Sequence, residues 1–167
     1  SSFRERDVVV EIEGPSQAAV GDEVVYKLSY ENNTRLMLHD LNFLFTYPQG
    51  SVIVKDGKVS SDETLTFIID ELDAGKKEEK EFKVFLVGDR GDIKTAKANV
   101  SFKAGTLKSS FEKTSTTSTT ITSVPVPLTL VAPPNATAGQ TINYILDYRN
   151  DSTNDINDLK IEFTYPD

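Results

Sequence analysis

Residues 10–48 read VEIEGPSQAAVGDEVVYKLSYENNTRLMLHDLNFLFTYP, and residues 128–166 read LTLVAPPNATAGQTINYILDYRNDSTNDINDLKIEFTYP. The second stretch repeats the first with an offset of 118 residues and no gap, and 13 of the 39 aligned positions are identical. Self-similarity at a fixed offset is typical of a tandem array. The sequence therefore predicts a complete domain over residues 1–123 and a second, truncated copy over residues 124–167.

The identical positions are mainly apolar residues, turn residues and one loop asparagine. They include Gly21 with Gly139, Tyr26 with Tyr144, Leu28 with Leu146, Tyr30 with Tyr148, Asn32 with Asn150, Asp40 with Asp158, and the FTYP segments at 45–48 and 163–166. Apolar and polar side chains alternate along two segments, which predicts strands with one buried face. The inward residues of the first strand are Val24, Tyr26, Leu28 and Tyr30, matched by Ile142, Tyr144, Leu146 and Tyr148. Those of the second are Leu41, Phe43, Phe45 and Tyr47, matched by Leu159, Ile161, Phe163 and Tyr165.

Other segments of the first copy have the same strand character. We expect an edge strand at 8–13 closed by Gly14-Pro15, and short strands at 51–54 and 58–60 around an Asp56-Gly57 turn. Further inward-facing sets are Leu65, Phe67 and Ile69; Phe82, Val84 and Leu86; and Ala96, Ala98, Val100 and Phe102. Between these strands we expect a loop at 32–34, a turn at 74–80 including a charged run, and a hairpin-type turn at 88–92.

The Ser/Thr-rich segment 109–123 reads SSFEKTSTTSTTITS and fits either a flexible linker or a last strand. We favour a strand, because threonine is β-branched and the domain needs a closing strand at this point. The hinge between the copies is then Val124-Pro125-Val126-Pro127, in which two prolines stiffen the junction.

Seven or eight short strands without helical periodicity indicate an all-β domain, an antiparallel β-sandwich of immunoglobulin type. The second copy stops after 44 residues, just past its third recognisable strand. Three strands cannot cover both faces of a sandwich core, so we expect the native protein to continue beyond Asp167.

Composition excludes several classes of function. The net charge is −8, and the lysines and arginines are scattered among acidic residues, which argues against a nucleic-acid partner. The lack of cysteine excludes disulfides, thiolate metal sites and cysteine nucleophiles. No apolar run reaches the roughly 18 residues that a membrane helix needs, so we expect membrane attachment only through an anchor outside this segment.

Two candidate sites have simple structural explanations. Arg90-Gly91-Asp92 spells an integrin-binding tripeptide, but Gly and Asp are also ordinary turn residues, and we favour that interpretation. His39 is the only histidine in a chain without cysteine, so it lacks partners for a zinc site. We predict that it is a surface residue at the start of a strand.

The acidic and amide residues of the loops give three further candidates. Asp151, Asp155 and Asp158 could offer oxygen ligands to calcium, but only Asp158 has a counterpart in the first copy, so we favour local turn bonds. N-x-S/T frames, which matter only in a glycosylating cell, occur at Asn32, Asn99, Asn135 and Asn150. A lysine–asparagine crosslink would need a buried lysine, and the lysines fall on polar strand faces. Because no nucleophile–base pair or phosphate-binding loop is evident, we expect no catalytic, cofactor-binding or metal-binding residue, no cofactor and no enzyme activity.

The segments GDEVVYKLSYENN at 21–33 and LDAG at 72–75 carry a family resemblance. They resemble bacterial immunoglobulin-like surface repeats, the group called domain of unknown function eleven, and its relative the cell-adhesion-related bacterial domain. In those repeats a Gly-x-x-apolar-x-Tyr strand leads to an Asn-rich loop and later to a Leu-x-Ala-Gly loop. The resemblance implies sandwich modules in a multi-repeat surface protein with one N-terminal membrane helix, just outside which residue 1 would lie. It transfers no functional residue.

Three functional hypotheses follow from these patterns. The first is a non-enzymatic, extracellular stalk or adhesive module at the cell surface, whose partners are further copies of the domain. The second is a recognition module that binds a glycan or a host protein through loops at one end of the sandwich. The third is an accessory spacer of a secreted enzyme.

Overall fold

The computed structural model describes residues 3–151 and 155–165. Two compact units divide the chain, residues 1–123 (unit 1) and residues 124–167 (unit 2). The described part contains a 3₁₀ turn, Glu5–Asp7, and the strands β1 (Val8–Glu13), β2 (Gln17–Ala19), β3 (Glu23–Asn32), β4 (Leu38–Thr46), β5 (Ile53–Lys55), β6 (Lys58–Ser60), β7 (Thr64–Leu72), β8 (Lys77–Phe85), β9 (Ile93–Ala104), β10 (Phe111–Ser123), β11 (Leu128–Val131) and β12 (Ile145–Tyr148). In that part, no helix has the length and apolar character to cross a membrane.

Unit 1 is an immunoglobulin-like β-sandwich. One sheet has the strand order β1-β3-β8 and the other the order β2-β10-β9-β4-β7, while β5 and β6 form a separate hairpin. Eight strands thus form the two sheets, which confirms the predicted fold class. All strand pairs in the sheets are antiparallel except one, since β2 runs parallel to β10. The Ser/Thr-rich segment is a strand, as expected, and it lies between β2 and β9.

The core lies between the two sheets and consists of the inward-facing residues that alternation predicts. On β3 and β4 they are all buried: Val24, Tyr26, Leu28, Tyr30, Leu41, Phe43 and Phe45, followed by Tyr47 just after β4. The rings of Phe45 on β4 and Phe82 on β8 stack across the core with their centroids 3.8 Å apart. Each such side chain stabilises the fold by roughly 1.5–3 kcal/mol through burial.

The chain passes from one sheet to the other at Gly14-Pro15, where β1 ends and β2 begins. Gly14 lies directly against the ring of Tyr26, since a Cβ at this position would stand 2.5 Å from Tyr26 Cδ1. The Thr119 hydroxyl donates to the Pro15 carbonyl at 2.7 Å. It therefore accepts from the Tyr26 hydroxyl, 2.8 Å away. This relay of two hydrogen bonds, from Tyr26 through Thr119 to Pro15, connects the crossover to β3 and β10.

Two segments differ from the sequence prediction. Most of the charged run 76–80 belongs to β8 and does not form part of a turn. β8 lies at the edge of its sheet, with β3 on one side and an isolated bridge from Phe85 to Val52 on the other. Residues 77–81 are exposed to water, so charge is tolerated there. The predicted hairpin-type turn at 88–92 instead connects β8 in one sheet to β9 in the other. Local turn signals do not reveal which sheet the next strand joins.

Among the described residues of unit 2, one antiparallel strand pair is formed, β11 with β12. The expected third strand is not formed in residues 155–165. In unit 1 the corresponding strand, β4, pairs with β7 and β9, and at the 118-residue offset the counterparts of both strands fall beyond position 167. The predicted buried face is accordingly only partly covered: Tyr148 is 60% exposed and Tyr165 76% exposed. Pro166, which closes the second FTYP segment, lies outside the described residues.

Candidate functional site

Asn32 organises one end of unit 1. The sequence suggested a loop at 32–34, but Asn32 is the last residue of β3 and is fully buried. Its side-chain nitrogen donates to the carbonyls of Leu36 at 2.8 Å and Leu72 at 2.9 Å. Its side-chain oxygen accepts from the amide and the hydroxyl of Thr34 at 3.0 and 2.6 Å. All four hydrogen-bonding positions of the amide are thus occupied, which fixes the β3–β4 loop.

Backbone bonds join this loop to its neighbours. The Asn33 amide donates to the Asp7 carbonyl at 2.9 Å, and the Asp7 amide donates to the Arg4 carbonyl at 3.0 Å. The Gly75 amide, in the turn between β7 and β8, donates to the Asn32 carbonyl at 2.7 Å. Residues 3–7 therefore form a fixed wall beside the loop.

A cavity of about 350 Å³ lies between this wall and the β3–β4 loop. The residues that line it are Phe3, Arg4, Asp7, Asn33, Thr34, Arg35 and Leu36. The side chain of Phe3 is packed against Phe111, with ring centroids 4.7 Å apart, so the apolar part of the lining is anchored to β10. Neither Arg4 nor Arg35 makes an ion pair with another described residue. The cavity thus combines two unpaired guanidinium groups with an apolar surface.

The scaffold of this site recurs in unit 2, but its charged groups do not. At the 118-residue offset, Asn33 and Asp7 correspond to Asp151 and Pro125, and the Asp151 amide donates to the Pro125 carbonyl at 2.7 Å. The same backbone tie therefore forms in both units. At the 118-residue offset, Arg35 corresponds to Thr153, whereas Arg4 corresponds to Thr122, which belongs to β10 of unit 1 and not to the second copy. The second copy therefore lacks an arginine at the position of Arg35.

The Arg90-Gly91-Asp92 tripeptide has a structural role in its connection. The Asp92 carboxylate accepts from the Asp89 amide at 2.8 Å. The Gly91 amide donates to the Ile121 carbonyl at 2.7 Å, and the Ile121 amide donates to the Asp92 carbonyl at 2.9 Å. The segment is thereby attached to β10, and the turn interpretation is confirmed.

His39 and Asp40 lie at an irregularity in β4. His39 is half-buried. Its Nδ1 lies 3.0 Å from Asp40 Oδ2 and its Nε2 lies 2.9 Å from the Gly105 carbonyl oxygen. The side chain is therefore held by two contacts and is not the free surface residue that we predicted. Asp40 has a φ of 52°, and its repeat counterpart Asp158 has a φ of 56°. Aspartate tolerates this left-handed conformation better than most residues, which explains why it recurs. Among the residues that the structure covers, no three acidic, histidine or cysteine side chains are placed to hold a metal ion.

The N-x-S/T frames occupy different environments. Asn32 is buried, so a glycan cannot be attached to it in the folded domain. Asn99 accepts a bond from the Thr114 hydroxyl at 2.6 Å, and Asn135 is exposed in unit 2. The frame of Asn150 includes Ser152, which lies outside the described residues. The frame at Asn32 is explained by structure, since its threonine hydroxyl is the hydrogen-bond partner of its asparagine.

Sequence reasoning missed both the Asn32 network and the arginine cavity. A signal for the network was present, because Asn32 recurs as Asn150, each with a hydroxyl residue two positions later. No comparable signal marks Arg4 and Arg35, which are 31 positions apart and do not recur. Only the folded chain brings them to one cavity.

Comparison with known proteins finds likeness at the level of the fold. No family model matches the chain. No curated protein matches it at a significant level. The CARDB domain of the PF1109 protein from Pyrococcus furiosus, solved in complex with di-metal ions, is 12% identical with a TM-score of 0.40, covering 71% of this chain and 93% of that domain. The ASH/PapD-like domain 7 of human CEP192 is 14% identical with a TM-score of 0.39, covering 73% of this chain and 91% of that domain.

Proposed function

We propose that the chain is a non-enzymatic part of a multi-repeat protein of the bacterial cell surface, in which sandwich modules form a stalk. The observation that supports this is the nature of what recurs between the two copies. The recurring residues are inward Tyr, Leu and Phe, the left-handed positions Gly21/Gly139 and Asp40/Asp158, and the backbone tie at residues 33 and 151. These positions are the ones that the fold itself requires. A stalk of repeated modules uses the same fold in each copy, so the same positions would recur in it.

Surface location is tested on intact source cells with an antibody raised against unit 1. We expect labelling without permeabilisation, and loss of the antigen when the intact cells are treated with a protease. A cytoplasmic protein of the same cells serves as the control and should resist the protease. Labelling that requires permeabilisation would contradict the proposal.

A second candidate function is ligand recognition through loops at one end of the sandwich. The cavity beside Asn33 favours it, because two arginines without an ion-pair partner among the described residues line one pocket. The two functions are compatible, since a stalk module can also carry a binding site.

A further inference from the structure

We propose that the cavity lined by Arg4, Asp7, Asn33 and Arg35 binds the carboxylate-bearing ring of an acidic saccharide. This inference rests on the second candidate function and names its ligand class. It does not depend on the stalk proposal, because the two are tested by separate measurements.

The charge of the cavity favours an anion. The chain as a whole carries a net charge of −8, yet two arginines and one aspartate line this cavity, a local balance of +1. Both arginines lack an ion-pair partner among the described residues. A guanidinium group presents paired donors that match the two oxygens of a carboxylate. An anion here would gain charge-assisted bonds without breaking existing ion pairs.

The other lining residues favour a sugar ring over a small, densely charged anion. Asp7 adds a carboxylate to the lining, which repels a doubly charged phosphate but accepts bonds from sugar hydroxyls. The Asn33 side chain is exposed and offers both donors and an acceptor. Phe3 and Leu36 supply apolar surface for the carbon face of a ring. A cavity of about 350 Å³ lies within the usual range for small-molecule sites.

The site is also pre-organised. Asn32 fixes the β3–β4 loop through four hydrogen bonds, and the Asn33–Asp7 backbone bond fixes the distance between the two walls. A ligand therefore does not have to order the loop on binding, which lowers the entropic cost of association.

The test uses the full chain labelled with ¹⁵N and titrated with the methyl glycoside of glucuronic acid, followed by NMR. We expect saturable shifts of the amides at 33–36, and no such shifts with methyl glucoside, which has the same ring without the carboxylate. Arg4→Gln and Arg35→Gln should each weaken binding by about tenfold, because each removes a charge-assisted contact. Arg90→Gln, a change of the same kind outside the cavity, should leave binding unchanged.

Four results would overturn the inference. The first three are the absence of saturable shifts at 33–36, equal binding of the two glycosides, and unchanged binding in both cavity variants. A short peptide ending in a free carboxylate is the competing ligand, and saturation of the site by this peptide but not by the glucuronide would exclude the saccharide. None of these results bears on surface location.

Discussion

The side chain of Asn32 forms hydrogen bonds with four groups at the point where β3 ends and the β3–β4 loop begins. Its side chain serves the Leu36 and Leu72 carbonyls and both polar groups of Thr34. A buried polar group that loses its partner costs more than the lost hydrogen bond contributes to stability, because it can no longer reach water. Single residues of this kind therefore have a large effect on unit 1.

Replacing Asn32 by alanine should lower the free energy of unfolding by about 2–4 kcal/mol, since it removes four hydrogen bonds at a buried position, including the side-chain partner of the Thr34 amide. Urea denaturation followed by circular dichroism measures the change. Asn33→Ala is the matched control. Its side chain is exposed and only its backbone amide bonds to Asp7, so the change should stay within about 0.5 kcal/mol. Equal effects of the two substitutions would show that the network does not stabilise the domain.

The relay from Tyr26 through Thr119 to Pro15 gives a second prediction at this scale. Thr119→Val has nearly the same shape but leaves both the Tyr26 hydroxyl and the Pro15 carbonyl without their partner. Tyr26→Phe removes only the first bond of the relay. We expect a loss of about 2–3 kcal/mol for the valine variant and about 1 kcal/mol for the phenylalanine variant, measured by urea denaturation. A larger loss of stability for Tyr26→Phe than for Thr119→Val would contradict this assignment of the hydrogen bonds.

Three buried tyrosines predict instability in alkaline solution. Burial, reinforced by the hydrogen bond to Glu78 and its charge, raises the pKa of Tyr30 to about 12. Burial also raises the pKa of Tyr26 and of Tyr47. An unfolded tyrosine titrates near pH 10, so between about pH 10 and 12 the unfolded chain loses protons that the folded chain retains. The stability that the three buried tyrosines contribute is therefore fully present below about pH 10 and is lost as the pH rises from about 10 to 12.

Urea denaturation at a series of pH values tests this expectation. Tyr30→Phe should reduce the slope of stability against pH between about 10 and 12, because one of the titrating groups is removed. The same slope in the variant would exclude Tyr30 as a contributor.

The edge strands β7 and β8 differ in how they are protected against pairing with another molecule. β8 begins with the charged run KEEKE, which discourages pairing with another chain. β7, at the edge of the larger sheet, contains six consecutive residues without charge, TLTFII at 64–69, and its Ile68 is 66% exposed. An uncharged, apolar edge of this kind is a template for strand pairing between molecules.

Ile68→Lys should therefore raise the concentration at which the protein self-associates, while the stability changes by no more than about 0.5 kcal/mol. Light scattering over a concentration series measures the first quantity and urea denaturation the second. Glu81→Ile on β8 is the opposite change and should promote association. If the lysine variant associates as readily as the original chain, β7 is not the point of contact.

The same elements show what sequence alone predicts. Alternation identified the buried faces of β3, β4 and β9, because a period of two is a direct result of the strand backbone. It could not identify the start of β8, because residues 77–81 are all charged and all exposed and show no alternation. It also failed at Asn32, because asparagine is typical of loops whereas this asparagine is buried in the domain. The cavity depends on contacts between distant segments, which local patterns do not encode.

At the scale of the whole molecule, the two units hold equivalent residues in different environments. Tyr30 is buried and its strand pairs on both sides, with β1 and β8. Its counterpart Tyr148 is largely exposed, and within the described part of unit 2 its strand pairs only with β11. The same sequence motif therefore has a different local stability in each unit.

Hydrogen exchange measures this difference directly. We expect the backbone amides of β12 to exchange at least roughly 100-fold faster than the hydrogen-bonded amides of β3, because a two-stranded pair opens without unfolding a core. The comparison of Tyr30 with Tyr148 is internally controlled, since both lie in the same chain and buffer. Equal protection at the two positions would contradict the prediction.

The parallel pairing of β2 with β10 determines how unit 1 responds to tension. The Val20 amide bonds to the Ser123 carbonyl, and the Thr120 amide bonds to the Ser16 carbonyl. Because the two strands are parallel, a force that pulls residue 3 and residue 123 apart slides β2 along β10 and strains these bonds together. In a strand pair pulled open from one end, they would break one at a time. The crossover at Gly14-Pro15 thus places a shear-resistant contact between the second and the last strand of the unit, which lie near its two ends along the chain.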